Sequence, residues 1–271
     1  MELEPQCVVA GNVHDTSEIS PKAAAPLTLS DQRVLAPASL ITGSSSPAAP
    51  RRKRFLVIGA TGTIGSAVCS ELLSLGHDVV GMARSHFLWE SRLVEWKESW
   101  AKTRREAAVP AVPSQAAWVA PLFVSLDLNS VARVKGSVKM LKEGGRGGPF
   151  DGVVFATGRI VPGESDARTI DGHDLIFSTN FLGPATLLRT LHSQQCLSDT
   201  CRVVILASDR YNVGSLKTVS LEEGKCLSHV SGGPRAQYYE SCRLLWVLYC
   251  LGWEEAHCMA GKSLNFCHPG T

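Results

Sequence analysis

Apolar and polar residues come in blocks from about residue 54 onward, and the period of the pattern changes from block to block. Phe55, Leu56, Val57 and Ile58 form a continuous apolar run that stops at Gly59. Such a run, bounded by glycine, predicts a strand buried on both faces. Ile64, Val68 and Leu72 follow at four-residue steps, which predicts a helix that Gly76 ends. The alternation then repeats. Residues 77–82, 118–126, 151–155, 202–207 and 263–266 read as further strands. Residues 130–142, 171–192 and 238–257 read as helices, the first broken by the glycine cluster at 144–148. Strand and helix in alternation predict an α/β fold, with a doubly wound parallel sheet of about six strands and helices on both faces.

Two segments stand outside that rhythm. Residues 86–117 are long for a link between strands. Trp89, Leu93, Trp96 and Trp100 lie there at helical spacing among charged residues, which predicts a helix packing an aromatic face on the sheet. Residues 1–53 are rich in Ala, Ser and Pro without periodicity, which predicts a disordered low-complexity tail before a folded domain at 54–271. The basic run Arg51 to Arg54 reads as a solvated lead-in to the first strand rather than a targeting patch.

Composition narrows the function classes. A net charge of +2 argues against a dedicated nucleic-acid binder. The nine cysteines are scattered singly, with no Cys-x-x-Cys pair and no His/Cys set at zinc-ligand spacing. That suits reduced, mostly buried thiols and no metal site. The longest apolar run, residues 244–251, is too short for a transmembrane segment. The N-terminus lacks a basic region followed by an apolar core. The expectation is a cytoplasmic protein.

The chemistry begins at the first turn. Gly59, Gly62 and Gly65 are spaced three apart between a strand and a helix. That geometry cradles a dinucleotide pyrophosphate: glycines admit the phosphates to the backbone, and the helix N-terminus offers free amides and partial positive charge. No Gly-Lys-Ser/Thr follows, so an ATP-type loop is excluded. Farther on, Ser208 ends an apolar strand, at the edge where open α/β sheets bind ligands. Tyr239 and Arg243 lie four apart on a helix and share a face. A fixed cation favours phenolate and so fits a tyrosine for proton transfer. The register pairing Tyr238 with Cys242 offers no such cation.

With these residues in order, the chain resembles the short-chain dehydrogenases/reductases, nearest to their retinol-dehydrogenase-like members, over residues 55–271. The Gly-rich turn matches Gly59, Gly62 and Gly65, an adenine contact matches Asp127 and Leu128, and a helix motif matches Asp171, Gly172, Asn180 and Gly183. The Ser-Tyr-basic set matches Ser208, Tyr239 and Arg243, and a Pro-Gly pair matches Pro269 and Gly270. The resemblance implies a Rossmann-type fold and an NADP-dependent oxidoreductase that interconverts a carbonyl and an alcohol, on a lipophilic substrate. It implies Asn180, Ser208, Tyr239 and Arg243 as catalytic residues. It implies Gly59, Thr61, Gly62, Thr63, Ile64, Gly65, Arg84, Asp127, Leu128, Ala156, Gly158, Tyr239, Arg243, Pro269 and Gly270 as cofactor-binding. Arg84, just past the second strand, suits the 2′-phosphate of NADP over the ribose hydroxyl of NAD. The family also implies a homodimer through helices 171–192 and 238–257.

The chain departs from the family at four places. Arg243 stands where the family has lysine. Phe155, Ala156, Thr157 and Gly158 replace an Asn-Asn-Ala-Gly sequence. The glycine spacing is that of the family's extended, epimerase-like branch, and the chain ends at Thr271, before a substrate-covering loop and a seventh strand. These departures motivate a second reading, a non-catalytic dinucleotide-binding protein of the same fold.

Overall fold

The first strand, β1 (Arg54–Ile58), is the spine of the sheet: Leu56, Val57 and Ile58 have no exposed surface. Its residues point alternately to two cores. Leu56 and Ile58 join a cluster with Val134, Leu187 and Trp246, whereas Val57 joins Cys69, Val79, Trp89 and Trp96. This period-2 alternation on a strand without polar positions requires cover on both faces. The computed structural model describes residues 52–106, 117–145, 147–159, 167–216, 219–220, 228–229, 235–256 and 262–267, all in the unit Pro47–Thr271. The expected tail at 1–53, but for its last two residues, and the Pro269–Gly270 pair lie outside them.

Around β1 stand β2 (Asp78–Ala83), β3 (Leu122–Ser125), β4 (Phe150–Phe155), β5 (Leu197–Leu206) and β8 (Ser263–Cys267). They form one parallel sheet in the order β3-β2-β1-β4-β5-β8. The order reverses direction between β1 and β4, and a crevice opens at that point above the strand ends. Helices α1 (Thr63–Ser74) and α2 (His86–Glu106) cover one face. Helices α3 (Val131–Glu143), α5 (Gly183–Ser193) and α6 (Arg235–Ala256) cover the other. Among the described residues no helix is long and apolar enough to cross a membrane.

In the long segment after β2, residues 86–106 form α2, and Trp89 and Trp96 pack inward. Trp89 and Trp96 are buried and meet edge to face at 5.0 Å. The Trp96 indole N–H donates to the Ser66 carbonyl at 3.0 Å, tying α2 to α1.

Four features depart from the sequence pattern or lie outside it. The buried stripe of α1 is Gly65, Ser66, Cys69 and Leu73, one position on from the Ile64/Val68/Leu72 pattern. Ile64 is exposed, because the smallest residue, Gly65, faces the strand. β3 is shorter than the 118–126 run. A hairpin of two-residue strands, β6 (Val219–Ser220) and β7 (Ser228–His229), stands apart from the main sheet and is too short to show a period.

The fourth feature bears on the site. The helix expected over 171–192 is three pieces: α4 (Leu175–Phe177), a π-turn (Ser178–Leu182) and α5. The Asp174 carboxylate caps the start, accepting the Ile176 and Phe177 amides at 2.7 and 3.3 Å. Pro184 has no N–H to continue the ladder. The Asn180 side-chain amide donates to the Ile176 carbonyl at 2.8 Å and competes with the backbone there. Asp171, expected inside that helix, instead accepts the Val131 amide at 2.6 Å and the Ser130 hydroxyl at 3.2 Å, at the start of α3.

Candidate functional site

The strand ends define one cleft. Gly59 leaves β1 at φ +82°, a region that disfavours a side chain, and a β-carbon there would lie 2.6 Å from the Ala156 carbonyl oxygen. Its amide donates to the Met82 carbonyl at 2.8 Å, and the Ile58 carbonyl before it accepts the Ala156 amide at 2.9 Å, so the start of the turn is held to both neighbouring strands. Gly62 caps α1 and supplies no side-chain acceptor. The first amides of α1 therefore have no side-chain cap, which is the condition for anion binding at a helix start.

The cleft has a volume of about 210 Å³ and runs from the end of β2 across β1 to β4. Of the residues the sequence singled out, Gly59, Thr61, Gly62, Arg84, Leu128, Ala156 and Gly158 line it. Others do not. Thr63 and Ile64 are exposed on the first turn of α1. Gly65 is buried beneath the turn, its missing side chain allowing α1 to approach Gly59. The Asp127 carboxylate pairs with Arg133 at 2.9 Å and accepts the Asn129 amide at 3.1 Å. That local pairing holds the carboxylate away from the lining, whereas its neighbour Leu128 is part of it.

At the β4 end three side chains converge. A β-carbon built on Gly158 would lie 3.6 Å from Arg243 Nη1, 3.7 Å from Asn180 Oδ1 and 3.7 Å from Tyr239 Oη. Asn180 is fully buried in the π-turn. Its Oδ1 accepts the Arg159 amide at 2.9 Å, and its Nδ2 donates to the carbonyls of Arg159 and Ile176, each at 2.8 Å. Both amide protons are thus committed, and only a lone pair on Oδ1 remains for another donor.

Arg243 is buried too. Its Nη1 donates to the Thr157 carbonyl at 3.1 Å and its Nη2 to the Leu206 carbonyl, bridging the ends of β4 and β5. Among the described residues its Nε has no partner. Burial pushes the guanidinium below its ordinary pKa, while negative charge on Tyr239, Cys242 or Cys250 would act the other way.

Ser208 lies two residues past β5, and its carbonyl accepts the Tyr211 amide at 3.0 Å in the short turn Asp209–Val213. The Ser241 hydroxyl, two residues beyond Tyr239 on α6, accepts the Ser215 amide at 3.0 Å and lies 2.8 Å from the carbonyls of both Ser215 and Gln237. The loop that carries Ser208 is therefore fastened to α6 near Tyr239.

Comparison with known proteins follows this geometry. A model of the NAD dependent epimerase/dehydratase family matches residues 55–120, the Gly-rich turn and the strands and helices just after it. A variant actinorhodin polyketide ketoreductase with NADPH superposes with a TM-score of 0.54 at 18% identity, over 79% of this chain and 69% of that one. A short-chain dehydrogenase from Salmonella enterica superposes with a TM-score of 0.57 at 14% identity, over 81% and 76%. The blue fluorescent protein from a metagenomic library, in complex with NADPH, gives 0.55 at 17% identity, over 80% and 74%. The fold is that of the short-chain dehydrogenases. No curated protein matches the chain in sequence.

Within this short-chain dehydrogenase fold, Asn129, Thr157, Arg159 and Thr179 also line the cleft, and sequence reasoning passed over all four as site residues. Thr179 donates to Asn129 at 2.7 Å across the cleft wall. The signal for Arg159 was present: a charged residue just past an apolar strand, at the sheet's ligand-binding edge.

Proposed function

We propose that the chain is an NADP-dependent oxidoreductase that interconverts a carbonyl and an alcohol by hydride transfer, on a lipophilic substrate. One juxtaposition carries this reading. Tyr239 Oη, Arg243 Nη1 and Asn180 Oδ1 meet at Gly158, and Gly158 lines the cleft that opens on the Gly59 turn. The residues fit a dinucleotide: an uncapped helix start at Gly62, a tight glycine turn under it, and an exposed arginine at the end of β2. In this reading Thr63, Ile64 and Gly65 serve through backbone amides, and Arg84 meets the 2′-phosphate. The NADPH in the two neighbouring structures supports the choice of cofactor.

The bound nicotinamide supplies the hydride. The chain's own part is the proton. Tyr239 gives its phenolic proton to the carbonyl oxygen in reduction and takes it back in oxidation. Ser208 orients that oxygen. Arg243 places positive charge beside the phenol, and Asn180 holds the backbone of the adjoining loop. Purified chain with NADPH reduces an aldehyde or ketone from a lipophilic panel, and Tyr239→Phe abolishes the rate. Turnover unchanged by that substitution overturns the mechanism.

A second reading rests on a separate observation: both terminal nitrogens of Arg243 bond to backbone carbonyls. A cation spent as a strut does not reach a ribose, and the chain then binds NADPH without turning over. Calorimetric NADPH binding, no reduction, and no rescue by Arg243→Lys would establish it. The rest of the reading is a cytoplasmic homodimer joined through α5 and α6, where Leu248 and Leu251 are exposed; sedimentation tests the assembly.

A further inference from the structure

Among the described residues, the cleft is lined by two arginines, Arg84 and Arg159, and by no carboxylate. Both are exposed. Three other arginines at the surface have acidic partners: Arg52 pairs with Asp78, Arg92 with Glu95 and Arg133 with Asp127. Among the described residues, the side chains of Arg84 and Arg159 make no hydrogen bond or ion pair. Two unneutralised cations over a neutral, partly enclosed lining make a local potential that favours anions.

Arg159 differs from a surface arginine in how it is mounted. Its amide and its carbonyl are both bonded to the side chain of Asn180, which is fully buried. The preceding residue, Gly158, is the point where Tyr239, Arg243 and Asn180 meet. The guanidinium is therefore carried by a fixed backbone at the proton-transfer end of the cleft. Arg84 stands at the β2 end. A guanidinium offers a planar fork matched to carboxylate or phosphate oxygens.

We infer that Arg159 is an anion-binding residue of this cleft, holding an oxyanion beside Gly158. Two sources share that chemistry, a phosphate of the dinucleotide and a carboxylate on the carbonyl substrate. The naming of those sources rests on the proposed function; the anion site itself does not.

The test uses the full chain with Arg159→Ala and Arg159→Lys. Calorimetry with inorganic pyrophosphate reads the anion site without turnover. Arg159→Ala weakens binding about tenfold, the scale of one charge-assisted hydrogen bond. The melting temperature stays put, since the side chain supports nothing in the fold. Arg159→Lys recovers part of the affinity, keeping the charge and losing the fork. A matching loss of NADPH affinity in Arg159→Ala assigns the anion to the dinucleotide. Unchanged NADPH affinity, with a raised KM for phenylglyoxylate and none for its methyl ester, assigns it to the substrate. If wild type and Arg159→Ala handle pyrophosphate, NADPH and phenylglyoxylate alike, the inference is overturned. Pyrophosphate binding that needs Arg159, in a chain that ignores NADPH, upholds the inference and removes the dinucleotide reading instead.

Discussion

Replacing Gly65 with alanine tests the geometry of the turn. The new β-carbon would lie 2.2 Å from the Gly59 carbonyl oxygen, 2.8 Å from the Gly59 carbonyl carbon and 3.2 Å from Ala60 Cα. All three are backbone atoms, so no rotamer change relieves the clash. Helix α1 has to move away from β1, or the turn has to open. Overpacking of this kind costs about 1–3 kcal/mol, and alanine's helix propensity returns at most about 1 kcal/mol. A net loss of about 1–2 kcal/mol lowers the melting temperature by roughly 2–8 °C for a domain of this size. The same shift carries the α1 amides away from the cleft, so NADPH affinity falls with it. The control is Gly136→Ala in α3, where a β-carbon would meet nothing within 4 Å. It removes a helical glycine at no steric cost and raises stability by about 0.5–1 kcal/mol. Thermal unfolding followed by circular dichroism reads both variants. A Gly65→Ala chain that melts with wild type and keeps its NADPH affinity would refute the close-approach argument.

Other expectations follow from single contacts. Arg243→Met leaves the Thr157 and Leu206 carbonyls without their donor; at about 1–3 kcal/mol for each buried unsatisfied group, chemical denaturation should show a loss of at least about 2 kcal/mol. Asn180→Ala frees the Arg159 backbone and the Ile176 carbonyl of α4. Misplacement of that end of the cleft lowers kcat by up to about a hundredfold, measured against an NADPH affinity that changes little. Burial pushes the Cys69 thiol up to about 12 from an ordinary 9.0. Between those values the folded chain holds a proton that the unfolded chain has lost, so stability falls as pH rises, by about 1.4 kcal/mol per pH unit. Stability curves at alkaline pH should be shallower for Cys69→Ala by that amount; equal slopes contradict the burial.

The parallel sheet was legible because its strands are continuous apolar runs, and Leu56 to Ile58 admit no arrangement other than cover on both faces. The glycine turn was legible for a related reason: glycine spacing constrains the backbone directly, and Gly59 and Gly62 shape the turn with no side chain. What the chain hid is side-chain direction and pairing. A periodicity that scores apolar residues skips Gly65, which faces the strand, whereas Ile64 in the same pattern is exposed. Asp127 was read as a ligand contact, but an arginine six residues on takes its carboxylate. Pro184 could have signalled the break before α5, but the part played by Asn180 required knowing that its amide turns back to Ile176 and Arg159. Arg243 shows the limit most plainly. Its charge and its position one helical turn beyond Tyr239 were evident from the sequence, but whether that charge serves a ligand depends on the Thr157 and Leu206 carbonyls, which are distant in the chain. On the proposed reading binding rests on the backbone and proton transfer on side chains, so the two can come apart in one fold, and Arg243→Lys is the substitution that separates them.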